Sequence, residues 1–293
     1  MNLIRLQYFS AVASSGTITA AADQLHVAQP AISRQLQQLE RELGVTLFER
    51  DGRRLALTAA GRSLVPLVED LLAHSRRFED ATRDIATGAV RHLVLAAPDT
   101  SIAEIVAPFL ATMSPTEPLI RVRREPPHHI HHVLQRGADL VISTEPPVTT
   151  LAWLPLSAPP LRAYFAPTHA WASTPQRTHV TPADLVSQNL LLPPADFMTR
   201  KILDHAVTQA GLGYANVEEC PVSRVIQAQA AAGFGVGVLT EHPRFDVRTL
   251  PVMDGDRPLV LRLHAAWDPA HHAAPVIRAL VQRMAIHTNT TAE

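Results

Sequence analysis

The chain has 293 residues, 46% of them hydrophobic, enough for more than one domain with a core of its own. A formal net charge of −1 at pH 7 excludes a protein that coats nucleic acid by bulk attraction, while leaving room for a local basic face. The single cysteine, Cys220, excludes an intramolecular disulfide framework and fits a reducing cytoplasm; no apolar run is long enough to span a bilayer, and the opening Met1–Leu6 lacks a signal peptide's apolar core.

The first elements in chain order are three helices. Leu3, Leu6, Phe9 and Val12 recur at a period near that of a helix, and Ser14-Ser15-Gly16 ends the run. Thr17 is placed to cap a second helix with Ala21, Ala22 and Leu25 inward, and His26-Val27 make a short connection to a third. In that third helix Ile32, Leu36, Leu39 and Leu43 fall in one apolar wedge at about 100° per residue. Pro30, Ser33, Arg34, Gln37, Gln38 and Arg41 fall opposite, with Glu40 and Glu42 on the flanks, so the outer face holds donors and acceptors but no carboxylate. Pro30 lies in the first turn, where a missing N–H is harmless. A major groove accepts such a helix, with Gln29, Pro30, Ser33, Arg34 and Gln37 as candidates to meet base edges and phosphates. After Gly44 the period changes, and Leu47–Arg50 and Arg53–Leu57 read as two strands around an Asp51-Gly52 turn. Arg50, Arg53 and Arg54 cluster at its tip as a basic wing suited to the phosphate backbone or an adjacent minor groove.

Residues 1–58 resemble the winged helix-turn-helix of the LysR-type transcriptional regulators. The resemblance rests on Leu6-Gln7-Tyr8-Phe9, Ala21-Ala22-Asp23-Gln24-Leu25, Gln29-Pro30-Ala31-Ile32-Ser33-Arg34, Leu39-Glu40, Leu43–Arg50 and Leu57-Thr58-Ala59-Ala60-Gly61. One departure is Ala28, where many members carry a capping Ser or Thr; its absence weakens the helix start by roughly 1 kcal/mol, partly offset by a DNA phosphate there.

Thr58 to Gly88 reads as one long helix, 59–88 being the linker segment. Leu64, Val68, Leu71, Ser75, Phe78, Thr82 and Ile85 follow the four-three spacing of a coiled-coil seam. The resemblance implies a linker that pairs two subunits into a dimer or a tetramer of two dimers; the alternative is an amphipathic helix packed on its own domain. Pro66 is expected to kink its first turns.

From residue 89 to 293 strand-like and helix-like segments alternate. Strands are predicted at Leu93–Ala96, Leu119–Val122, Asp139–Ile142, Leu161–Phe165, Leu190–Leu192 and Val236–Leu239. Helices are predicted at Ile102–Thr112, His129–Arg136, Arg200–Ala210, Val225–Ala232 and Ala274–Ile286. This predicts an α/β fold with largely parallel sheets. Through Gly137–Ile142 and Ala232–Leu239 the resemblance implies a two-lobed, periplasmic-binding-protein-like effector domain. Lobe I would take about 89–161 and 267–293, and lobe II about 162–266, with crossings near Leu161 and Leu263. The fold class is therefore α+β multidomain.

Such folds bind ligands at strand C-termini between lobes. Candidates are Asp99, Thr100 and Ser101 after the first strand, Ser143 and Thr144 after the third, Phe197, Met198 and Thr199 at a helix start, and Gly233 and Phe234. Thr100, Ser101 and Thr199 are equally open to a reading as helix caps, and the glycine as a turn. Together they favour a small polar effector, a carboxylate or an amino-acid-like metabolite; Asp99 would repel an anion and instead suits an amino group.

The run His128-His129-Ile130-His131-His132 has spacings that suit a transition metal, but no Cys or carboxylate is spaced to complete a site. Cys220 has no second cysteine to resolve a sulfenic acid. Nucleophile-elbow, phosphate-loop and zinc-protease signatures are absent, so no catalysis, cofactor or metal is expected. The expected partners are double-stranded DNA, a small-molecule effector, a second copy of the chain and RNA polymerase, in the cytoplasm and without a membrane. The rival reading is a small-molecule-binding protein or metal sensor whose N-terminal helices make only protein contacts, and an enzyme is the third option.

Overall fold

The computed structural model of the chain describes residues 2–51, 54–126, 132–145, 148–174 and 176–290. It divides into two units, Met1–Ala89 and Val90–Glu293.

The first unit holds α1 (Leu3–Ser15), α2 (Ile18–Leu25), α3 (Gln29–Leu43), a hairpin of β1 (Phe48–Asp51) and β2 (Arg54–Leu57), and α4 (Ala59–Thr87). Gly16 ends α1 in the left-handed region, and Thr17 caps α2 through the Ala20 amide. Leu6, Phe9, Val12, Ala21, Ala22, Ile32, Leu36, Leu39 and Leu47 form one buried core. Leu3 and Leu43, expected inward, are exposed, because each sits at a helix end beyond the core's reach.

The linker is not a separate body. Thr58 caps α4 through the Gly61 amide, and Val68 and Leu72 are buried in the same core as α1–α3. The helix runs through Pro66 without interruption. Of the predicted seam, Leu64 and Val68 therefore serve the chain's own domain, whereas Leu71, Phe78 and Ile85 remain exposed, the last two at 74% and 71%.

The second unit has two lobes, each built on a five-stranded sheet. Lobe I opens with β3 (His92–Ala97), then α5 (Asp99–Ser101), a π-wound turn (Ile102–Val106) and α6 (Ala107–Leu110). It continues with β4 (Leu119–Arg124), α7 (His132–Gln135), β5 (Leu140–Ser143) and β6 (Ala152–Ser157). Lobe II has β7 (Arg162–Phe165), α8 (Pro182–Val186), β8 (Asn189–Leu192), α9 (Met198–Gln209), β9 (Asn216–Glu219), α10 (Ser223–Ala231), β10 (Val236–Leu239), β11 (Arg248–Pro251) and the hairpin β12 (Met253–Asp254) and β13 (Arg257–Pro258). The chain returns to lobe I as β14 (Leu263–Trp267) and α11 (Ala274–Thr290).

Strand orders are β4-β3-β5-β14-β6 and β11-β7-β10-β8-β9. In each sheet one half is parallel and the other antiparallel, which corrects the largely parallel expectation. The reason is the return crossing: β14 enters lobe I running against β5 and β6, so lobe I takes up the chain from Leu263 rather than 267. The two crossing segments lie side by side, Leu161 donating to the Leu259 carbonyl at 2.7 Å and Leu261 to that of Pro159 at 2.9 Å. They form a two-stranded hinge.

Gly61 gives a test of how the wing is seated. A Cβ there would lie 2.3 Å from the Leu47 carbonyl oxygen and 2.9 Å from a Leu57 methyl. In an open helix Gly→Ala gains about 0.8–1.0 kcal/mol. Here overpacking against backbone dominates, and Gly61→Ala should destabilise by about 1–3 kcal/mol. Urea unfolding followed by far-UV circular dichroism measures this; an unchanged or raised midpoint would show that helix and wing are not in close contact.

Candidate functional site

On α3, Gln29, Pro30, Arg34 and Gln37 are exposed and Ser33 is half-buried. Among the described residues the side chains of Gln29, Ser33, Arg34 and Gln37 make no hydrogen bond or ion pair. The flanking acids are committed elsewhere. Glu40 accepts from the amides of Leu47 at 2.7 Å and Phe48 at 3.2 Å, tying α3 to the start of the wing. Glu42 pairs with Arg5, whose Nε also donates to Gln35 at 2.9 Å, tying α3 to α1. Ala28 provides no side-chain cap; Pro30 has no N–H and the Ala31 amide donates to the Ala28 carbonyl at 2.9 Å, so of the first turn only the Gln29 amide stays open. Of the wing arginines, Arg53 lies outside the described residues, and only the backbone of Arg50 and Arg54, in β1 and β2, is described. The histidines at 128, 129 and 131 also lie outside them, and His132 opens α7. No group of three or more potential metal ligands occurs among the described residues.

Between the lobes is a cavity of about 1080 Å³. Its walls are the segments just past the strands' C-terminal ends: Pro98–Ser101 after β3, Thr144 after β5, the start of α9 after β8, the start of α10 after β9, and Thr240–His242 after β10. Asp99, Thr100, Ser101, Thr144, Phe197, Met198 and Thr199 all line it. Three other candidates do not. Ser143 is buried at the end of β5, its Oγ accepting from the Glu145 amide at 2.9 Å. Gly233 and Phe234 precede β10, so they lie at its N-terminal end, away from the ends that wall the cavity; Gly233 turns the chain at φ 83° and Phe234 points to solvent.

Neither cap reading holds. The first lobe I helix starts at Asp99 with Pro98 at its cap position, and α9 starts at Met198 with Phe197 there, neither with a side-chain cap bond. Thr100, Ser101 and Thr199 thus make no side-chain hydrogen bond among the described residues. Thr144 Oγ1 is buried with no partner. A buried hydroxyl left unsatisfied usually costs about 1–3 kcal/mol.

Sequence reading missed Glu104, Arg224, Glu241, His242 and Arg244. Thr240–His242 were within reach, since the strand-end rule applied to Val236–Leu239 leads to them. Glu104 was hidden by the π turn, which departs from the regular helix predicted there. Asp99 and Arg124 are 4.0 Å apart and exposed, and Glu125 pairs with Arg123 at 2.6 Å. Arg224 has no partner among the described residues. Glu104, in lobe I, accepts from His242 Nδ1 at 2.6 Å, the His242 amide at 3.2 Å and Arg244 Nη2 at 2.7 Å, all in lobe II. Burial alone would raise the Glu104 carboxyl, but the bonds from His242 and Arg244 outweigh it and hold the group below the usual carboxylate range.

A helix-turn-helix with an open polar recognition face, joined in one chain to a hinged two-lobed α/β domain, defines a ligand-binding DNA-binding protein. Residues 3–62 match the family described as bacterial regulatory helix-turn-helix protein, lysR family, and residues 86–288 the LysR substrate binding domain. The chain belongs to the LysR family of transcriptional regulators. It is 38% identical over 118 residues to the HTH-type transcriptional regulator TfdT of Cupriavidus pinatubonensis, covering 40% of this chain and 52% of that one. Another relative, CbbR of Rhodospirillum rubrum, is 27% identical over 96% of this chain and 94% of its own. In fold the chain is similar to CbnR, a LysR family transcriptional regulator, with a TM-score of 0.74 and 22% identity over the whole of both chains. Against full-length CbnR complexed with its target DNA the TM-score is 0.75 at 23% identity, covering 98% of this chain and all of that one.

The Glu104 contacts carry a pH signature. A carboxylate whose pKa is lowered on folding contributes stability above its unfolded pKa and loses it as pH falls through the folded one. The stability gap between wild type and Glu104→Gln should therefore be full near neutrality and close as pH falls below the ordinary value of 4.5. All three tryptophans, Trp153, Trp171 and Trp267, lie in the second unit, so their fluorescence during urea unfolding reports on it. A gap that stays constant down to about pH 3 would rule out an ionised Glu104 as its source.

Proposed function

We propose that this protein controls transcription by reading an operator through α3 and its wing, and that a small anionic effector in the interlobe cavity sets its activity. The observation that carries the first half is the division of charge on α3: both flanking carboxylates are spent on internal contacts, while Arg34, Gln37, Ser33 and Gln29 stay unpaired. Gln29 and Pro30 stand at the helix start, where the open Gln29 amide suits a phosphate. Arg50, Arg53 and Arg54 hold the flanking phosphates. The second half is supported by the free hydroxyls of Thr100, Ser101, Thr144 and Thr199, by unpaired Arg224, and by the uncapped starts of α9 and α10, all on one cavity. The apolar stripe of Leu67, Leu71, Phe78 and Ile85 on α4 supports pairing with a second copy. RNA polymerase and a cytoplasmic location follow from the role of a transcriptional regulator. No described helix is long and apolar enough to cross a membrane.

Gel shifts with the chain's own upstream region, in moderate salt with competitor DNA, test the first half. Arg34→Ala should weaken operator binding by about 1–3 kcal/mol and relax specificity at one position. Arg53→Ala should weaken all sequences alike and reduce the salt slope by about 1. Unchanged operator binding in both variants would reject this face.

For the cavity, Thr144→Val removes an orphan hydroxyl at nearly constant shape. Thermal stability should hold or rise by up to about 1–3 kcal/mol, while the shift produced by an effector found in a metabolite screen should shrink. A variant that loses stability yet keeps its full response assigns Thr144 a structural part instead.

A further inference from the structure

We propose that Glu104 is an internal stand-in for the effector's carboxylate: it occupies a seat made by His242 and Arg244 across the cavity, and so holds the lobes together until an anionic ligand takes that seat. This rests on the effector reading above and adds to it the ligand's class and its means of action.

The seat has the makings of a carboxylate site. An imidazole, a backbone amide and a guanidinium converge on one pair of oxygens, at 2.6, 3.2 and 2.7 Å. Its shape does not depend on Glu104. Gln227, buried on α10, accepts from the Arg244 amide at 2.9 Å and donates to the His242 carbonyl at 3.2 Å, while the Tyr164 hydroxyl donates to the Glu241 carbonyl. The loop 241–244 is thereby pinned from lobe II alone, and removing the carboxylate leaves the donors in place.

Access is lopsided. The Glu104 side chain is only 16% exposed, but those of His242 and Arg244 are 74% and 41% exposed, and all three line the cavity. A ligand can reach these donors from the open side before Glu104 has left. Glu104 itself stands in the middle of the π turn Ile102–Val106, closed by the Ala107 amide on the Ile102 carbonyl. Such widened turns are frequent at functional sites, and replacement by regular helix would rotate Glu104 relative to its neighbours. Because the two lobes join through a two-stranded hinge, a contact that spans them and can be exchanged for a ligand sets their separation.

The test uses the full chain, with Cys220→Ser to leave two engineered label sites, Ala279→Cys on α11 of lobe I and Gln209→Cys on α9 of lobe II, both exposed. Spin-label distances report lobe separation, and calorimetry reports binding of acetate and succinate, with acetamide as the uncharged control. Tryptophan fluorescence checks that each variant is folded. Glu104→Gln should lengthen or broaden the distance distribution and raise succinate affinity at least about fivefold over wild type, whereas Arg244→Gln should lengthen it and lower the affinity. His242→Gln, approaching from the other partner, should act as Arg244→Gln does. Wild-type distances in folded Glu104→Gln would overturn the clasp. Lengthened distances with no gain in acetate or succinate binding would overturn the stand-in, since the vacated seat would then not be a carboxylate seat. Failure of the broader effector reading looks different: no metabolite in a screen alters operator binding, whatever the Glu104 distances show.

Discussion

The carboxylate of Glu40 faces inward, onto the amides of Leu47 and Phe48, and much of the N-terminal unit's use depends on that one placement. The contact fixes where the wing leaves α3, and it removes a negative charge from the helix proposed to approach phosphates. A unit charge about 4 Å from another in water is worth about 1 kcal/mol, so a single misplaced acid would not abolish binding. Glu42, held by Arg5, repeats the arrangement on the other flank. With both acids engaged, the chain's near-neutral net charge becomes compatible with an outer face that carries only cations and amides. Local placement decides this, and composition does not.

In the C-terminal unit the corresponding constraint is the direction of the strands. Parallel pairs β3–β4, β3–β5, β10–β8 and β8–β9 send successive C-terminal ends to the same side of their sheets, and the segments after them wall the cavity. The lobes are joined by two extended segments held side by side by backbone bonds. The wall is also where the chain tolerates local disfavour: a π turn around Glu104, an unsatisfied hydroxyl on Thr144, and helix starts without caps. Disfavoured features gathered on one concave surface are what a binding site looks like before its ligand is bound.

The helical periods of α1–α3, the Thr17 and Thr58 caps and the outer face of α3 were legible because each is local. Period, cap and breaker lie within a few residues of one another. Of the parallel halves, β3, β4, β5, β8 and β10 were legible as short apolar runs. β6, β9, β11 and β14 were not, since Pro155, the acidic Glu218-Glu219 and the mixed Arg248–Pro251 obscure alternation, and β14 is recognisable only by its partner β5. At the cavity, reading forward from predicted strand ends located Thr100, Thr144 and Thr199. Gly233 and Phe234 misled because glycines were read as a close approach to ligand when they turn the chain into β10 from the far side. Glu104 with His242 and Arg244 was out of reach: residues 138 and 140 positions apart meet only once the hinge is built.

The helix α4 shows how one element serves two partners in succession. Over its first turns, Val68 and Leu72 are buried with the helix-turn-helix core, so the helix direction is fixed by the same packing that fixes α3. Farther along, Phe78 and Ile85 lie open, and side chains of that size gain about 1.5–3 kcal/mol each on full burial. A monomer forgoes that gain, and a second copy aligned on the stripe, as proposed, would recover it. Since the buried turns hold α4 against the recognition domain, a twofold pairing along the exposed turns would carry two copies of α3 in a defined relation, which is what a palindromic site with half-sites about one or more helical turns apart demands. Flexibility at the junction of the two stretches would uncouple pairing from recognition, and between them, from Val68 to Phe78, α4 is continuous helix.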